Sequence, residues 1–118
     1  MLEFYSTDSE NNEVRYMSVY EKHNDTFIFV DKSAENTKVE LKIGTEFSIK
    51  RFGKIHMDFP FDENKITKGI YQNDLGLSIE FSIRTNQVFF RNNIFYVSYD
   101  LNLDGDFISS HVIKIKFF

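Results

Sequence analysis

The one stretch of this chain that spells out a ligand pattern is "YDLNLDGDFISSHV", Tyr99 to Val112. From Asp100 it reads D-x-N-x-D-G, the opening of a helix–loop–helix calcium loop. Such a loop needs oxygen ligands at its odd early positions, glycine at the sixth and a bidentate glutamate at the twelfth. Asp100, Asn102, Asp104 and Gly105 meet the early requirements, but the twelfth position is His111, which cannot offer two hard oxygens. The flanks fail as well, because they alternate apolar and polar residues where the motif demands helices. Asp104-Gly105 between two alternating runs reads instead as a type I′ hairpin turn, which requires positive φ at both central residues. Leu103 and Asp106 become its paired ends, and no metal site is expected.

The remaining chemistry lies with polar side chains that share the parity of apolar rows. Arg51 is in register with Phe47 and Ile49, and Tyr71 faces the same way if no bulge intervenes before Leu75. Tyr99 belongs to an apolar row of its own strand, and Ser109 and His111 share parity with Ile113 and Ile115. A guanidinium fork suits a carboxylate or phosphate, and a tyrosine hydroxyl adds a neutral donor. Arg51, Tyr71, Tyr99 and His111 are therefore the candidate ligand-binding residues, with Arg51 and a tyrosine holding an anionic head group. The competing account places Arg51 at a rim, paired with a carboxylate or a carbonyl, and fills the interior with aromatic rings. The three histidines, His23, His56 and His111, lack metal-ligand spacing. Asp58, Asp62 and Glu63 flank a turn and read as solvated loop charges. No nucleophile–base pairing or phosphate-cradling glycine loop is evident, so no catalytic residue and no cofactor are assigned.

The elements that must position these residues are strands. In "LGLSIEFSIR", Leu75, Leu77, Ile79, Phe81 and Ile83 fall on one face and polar residues on the other, the period of a half-buried strand. "KVELKI" repeats the pattern with Val39, Leu41 and Ile43. Phe95, Val97, Tyr99, Leu101 and Leu103 form a third row, and Ile113, Ile115 and Phe117 a fourth. Weaker alternation marks Val14–Lys22, Thr26–Asp31, Glu46–Arg51, Ile55–Phe61, Ile66–Tyr71, Val88–Arg91 and the short opening stretch Leu2–Tyr5. Turn clusters separate them at His23, Ser33, Asp62, Asn73, Thr85, Asn92 and Asp104. Pro60 belongs at a strand end or edge, and Gly53 and Gly69 at bulges or bends. No window carries a capped helical stripe. Short strands joined by tight turns give an all-β, single antiparallel up-and-down barrel of roughly eight to ten strands with little or no helix. Closure is favoured because no helix exists to cover an open edge.

Composition sets the boundaries. With 118 residues the chain makes one domain, 1–118, and 14 Phe and 6 Tyr supply a core without disulfides, since there is no Cys. A net charge of −4, with lysines scattered along the chain, argues against nucleic acid. No apolar run is long enough to span a bilayer as a helix, and the start "MLEFYSTDSENN" lacks the features of a signal peptide. A cytoplasmic protein without nucleic-acid or membrane partners is expected, as a monomer or homodimer.

With strands in place, several motifs resemble the YwiB-like family, a bacterial domain-of-unknown-function family with a calycin-like β-barrel. "IKRFG" at Ile49–Gly53 is similar to its Arg-x-Gly segment, and "MDFPFDEN" to the apolar strand that follows. "GIYQNDLG" at Gly69–Gly76 resembles a Tyr-x-Thr-x-x-Gly turn with Asn73 in place of Thr. "LSIEFSIRT" resembles the next alternating strand, and "VSYDLNLDGDFISSHVIKIKF" the closing hairpin. The likeness extends from about Thr37 to the end and is loose before it. It implies a calycin- or lipocalin-like barrel, and it brings no established activity.

An eight-strand barrel has room for its own side chains or for one small ligand. The primary expectation is thus a non-enzymatic barrel binding a small apolar or amphipathic, anionic ligand. The alternative is a solid barrel acting as a protein-interaction or self-association module, through outward apolar residues such as Phe52, Phe89, Ile94, Tyr96 and Val112. A cavity of about 300 Å³ or more with Arg51 and Tyr71 at its wall favours the first.

Overall fold

A computed structural model describes all residues, 1–118. Eleven strands and no helix make up the chain: β1 (Leu2–Asp8), β2 (Glu13–Ser18), β3 (Tyr20–His23), β4 (Thr26–Val30), β5 (Lys38–Lys42), β6 (Phe47–Phe52), β7 (Ile55–Phe61), β8 (Thr67–Asn73), β9 (Ser78–Arg91), β10 (Ile94–Leu103) and β11 (Asp106–Phe117). They form one antiparallel sheet in the order β2-β1-β11-β10-β9-β8-β7-β6-β5-β4-β3. The two outermost strands, β2 and β3, are consecutive in sequence and separated only by the exposed Val19. β2 pairs with β1 and β3 pairs with β4. One stretch of chain thereby serves both edges and rolls the sheet into a barrel, which removes the long free edges of an open sheet. The alternation of Val14–Lys22 marked a single strand, and Val19 is where it changes partners.

The apolar rows fall inside. Val39, Leu41, Ile49, Phe95, Val97, Tyr99, Leu101, Ile115 and Phe117 are all buried. At the end of the barrel holding the chain termini, aromatic rings fill the interior. Phe27 lies 4.2 Å from Phe117, and Tyr20 and Phe90 lie 5.1 and 5.9 Å from the same ring. Such ring pairs add about 0.5–1.5 kcal/mol each beyond the area they bury.

Turn chemistry follows the sequence. Asp104 and Gly105 take φ of 52° and 84°, and Leu103 pairs with Asp106, so the D-x-N-x-D-G stretch is the β10–β11 hairpin. Asn92 and Asn93, at 54° and 60°, make the β9–β10 turn in the same way. Pro60 is next to last in β7, beyond Asp58, where pairing with β8 stops.

Three details differ from the alternation. The turn expected at Thr85 is a bulge: β9 runs unbroken through it, and Asn86 is left without a partner between the Gln87–Ser98 and Thr85–Tyr99 pairs. Leu75 and Leu77 do not continue the inward row but stand exposed in the β8–β9 turn. The Asn73 side chain accepts the N–H groups of both, at 3.0 and 2.9 Å, and this curls the chain away before the strand begins. Gly69 makes no bulge, since its pairing with β9 is regular; the missing Cβ lets Ile83 and Phe59 pack close against the strand.

Candidate functional site

Up-and-down order sends the β1–β2, β4–β5, β6–β7, β8–β9 and β10–β11 connections to the end opposite the aromatic cluster. Beneath them the interior is hollow. A cavity of about 390 Å³ is walled by 19 residues, 13 of them hydrophobic, among them Ile49, Phe59, Phe81, Leu101 and Ile113. The size lies within the range of small-ligand sites, and the wall has the usual make-up of many apolar groups and few polar ones. A larger depression of about 880 Å³ beside Glu46 and Lys65 is walled by 17 residues, only 4 of them hydrophobic.

All four residues singled out by parity, Arg51, Tyr71, Tyr99 and His111, lie at the wall of the inner cavity. The strand alternation that buries Phe95, Val97 and Leu101 also turns Tyr99 inward. Arg51 does so from β6, where it pairs with Met57, and Tyr71 from β8, where it pairs with the same residue. His111 arrives from β11 through a second bulge, which leaves Ile108 unpaired between the Asn102–Phe107 and Leu101–Ser109 pairs. Beyond the bulge the register is unbroken, and alternation with Ile113 and Ile115 brings Ser109 and His111 to the wall.

Two polar groupings result. On one side, Arg51 Nη2 donates to Asp31 Oδ2. Asp31 is buried, and its Oδ1 accepts the Ser33 N–H at 2.8 Å and the Ser33 hydroxyl. The carboxylate is thus held by three donors, two from Ser33 in the β4–β5 loop and one from Arg51 on β6. Tyr16, stacked on Phe4 at 4.8 Å, stands close enough to feel both charges. Burial, reinforced by Asp31, pushes its hydroxyl far above the usual range. The Tyr16 hydroxyl and Arg51 Nε are buried without a protein partner.

On the other side, His111 stacks on Tyr99 with ring centres 5.1 Å apart and shares a hydrogen bond of 2.7 Å with the Ser109 hydroxyl. Burial raises the Tyr99 hydroxyl well beyond its usual value, with Arg51 pulling weakly the other way. Burial also pushes the His111 imidazole below its usual value, against the opposing fields of Asp8, Asp100 and Glu10. His111 is neutral at pH 7 as a consequence.

That shift has a measurable sign. Between the lowered folded pKa and the unfolded value near 6.5, the unfolded chain binds more protons, so stability falls as pH drops through this window. His111→Gln removes the contribution. Urea midpoints of wild type and variant at pH 7.5 and 5.5 are expected to show the smaller acid loss in the variant. An equal loss in both proteins contradicts the assignment.

Asp31 and Tyr16 escaped the sequence analysis. Asp31 shares the parity of Phe27 and Phe29, so alternation turns it inward as it does Arg51. Tyr16 shares parity with Val14 and Ser18 in the same way. No group of three His, Cys, Asp or Glu side chains comes together in the structure, and no helix is long and apolar enough to cross a membrane.

Comparison with known proteins adds a fold and a family. No curated protein matches the chain. Among solved structures, the crystal structure of ywiB protein from Bacillus subtilis is similar over 99% of this chain and 89% of its own, with a TM-score of 0.66 and 16% sequence identity. At that identity the likeness concerns the barrel alone. The family model described as "Domain of unknown function (DUF1934)" matches residues 5–115, from within β1 to within β11, and the chain belongs to that family.

Proposed function

We propose that the barrel binds a small apolar or amphipathic molecule in the cavity beneath its turns, with no chemical step. The observation that carries this reading is the 390 Å³ cavity itself, apolar for most of its wall and with its polar groups gathered in two places. A core that served stability alone would be filled, because an empty apolar volume costs about 24 cal/mol per Å³. The closed end of the same barrel shows such filling, by Phe27, Phe90 and Phe117. The apolar body of a ligand would lie against Ile49, Phe59 and Leu101, and its polar end toward Arg51, Tyr71, Tyr99 and His111.

The interaction-module reading finds less support. Phe52, Phe89, Ile94, Tyr96 and Val112 are half-buried, not exposed. Phe89 stacks on Tyr96 at 5.3 Å beneath Arg91, and Phe52 lies under Lys38.

The test uses the uncharged dye N-phenyl-1-naphthylamine, whose fluorescence rises in apolar surroundings. Wild type is expected to bind it with saturable, equimolar stoichiometry. Ser109→Leu adds bulk at the cavity wall and should weaken binding by about tenfold, with a loss of stability of at most about 1 kcal/mol. Native mass spectrometry of the purified protein reports any co-purified molecule and the oligomeric state together. Absence of saturable dye binding, or unchanged binding by the leucine variant, would count against a ligand in this cavity.

A further inference from the structure

We infer that the preferred ligand carries an uncharged polar head, and that Asp31 is the residue that turns carboxylates away. The inference rests on the ligand-binding reading above and adds the chemical class. Arg51 is the only Lys or Arg at the cavity wall. Its charge is already met by Asp31, a buried carboxylate fixed by two donors of Ser33 as well as by Nη2 of Arg51 itself. The ion pair is neutral as a whole, and the loop that carries Asp31 ties it in place: the Asp31 N–H donates to the Thr37 carbonyl at 2.9 Å.

An ionised head group would therefore enter an apolar space with no free counter-charge, and burying an unpaired carboxylate is among the most costly acts in a protein interior. His111 offers no relief at neutral pH, because burial keeps its imidazole uncharged. The approach is unfavourable too. The turns around this end carry Glu10, Glu35, Asp74 and Asp104 against Lys32 and Lys54, and like charges at a mouth lower the local concentration of an anion.

A neutral head suffers none of this. The Tyr71 and Tyr99 hydroxyls at the wall are uncharged donors. An alcohol or ester oxygen accepts hydrogen bonds without bringing a charge.

The experiment compares 1-decanol with decanoate, matched in chain length, as competitors of N-phenyl-1-naphthylamine on the full chain at pH 8. Decanol is expected to displace the dye at about a tenfold lower concentration than decanoate. Asp31→Asn keeps an acceptor for Ser33 and frees the Arg51 charge. In this variant decanoate should gain about tenfold while decanol changes less than about twofold. Decanoate matching or exceeding decanol on the wild type overturns the inference and leaves the cavity reading standing, as does a decanol-to-decanoate ratio unmoved in a folded Asp31→Asn. If neither compound nor the dye binds, both readings fall. The wild-type comparison decides the matter even where the variant fails to fold.

Discussion

Phe95→Ala is expected to bring this barrel close to unfolding. Phe95 has no exposed surface. It pairs with Ile115 on one side and Phe90 on the other, and its ring centre lies 6.2 Å from that of Phe47. Removing a buried ring deletes its transfer free energy and leaves a hole that rigid neighbours cannot close, a loss of about 3–5 kcal/mol. A domain of this kind holds only about 5–15 kcal/mol in total. Thermal unfolding should drop by on the order of 10–20 °C. Phe95→Leu restores most of the volume and should recover most of the loss. Tyr96→Ala, next in sequence but on the outer face, should cost no more than about 1 kcal/mol. A melting temperature for Phe95→Ala within a few degrees of wild type would mean that the core is centred elsewhere.

The second large effect comes from the smallest side chain. Gly69 is buried within β8, and a Cβ there would lie 2.7 Å from Ile83 Cδ1 and 2.8 Å from the Phe59 ring. Both neighbours belong to the core: Ile83 is fully enclosed, and only the Phe59 ring borders open space, at the cavity. Gly69→Ala should cost about 1–3 kcal/mol by overpacking, after the modest gain from a stiffer unfolded chain. The geometry predicts a specific rescue. Ile83→Val removes the nearest atom, so the double variant should be more stable than the sum of the two single changes implies, by about 0.5–1 kcal/mol. Additive losses in urea titrations would show that the clash is not the cause. Phe59 also lines the cavity, so a ring displaced by the new methyl should weaken dye binding as well.

These two positions mark how far alternation could be read. Phe95 was legible, because it heads a row in which every second residue is apolar and a sheet with one wet face must turn that row inward. Gly69 was not. A glycine within a strand signals either a bulge or a close approach, and the choice depends on whether Ile83 and Phe59, from two other strands, arrive above it. The same limit explains Leu75 and Leu77, which keep the correct parity yet lie outside the barrel. Parity assigns a face only while the chain remains a strand, and the Asn73 side chain ends the strand by taking their N–H groups.

The sequence by itself determined the all-β class, the inward rows and the Asp104-Gly105 hairpin that replaces a calcium loop, because each is a local consequence of side-chain period or of backbone φ. It also determined that Arg51, Tyr71, Tyr99 and His111 would point toward the interior, since parity is a property of one strand at a time. Tertiary structure decided what they meet there. Only closure through Val19 makes one interior from eleven strands, and only packing in three dimensions fills one end with rings and leaves the other hollow. The pairing of Arg51 with Asp31 joins a residue of β6 to one of the β4–β5 loop. No period or spacing encodes such a contact, and it is the one that sets the charge of the cavity.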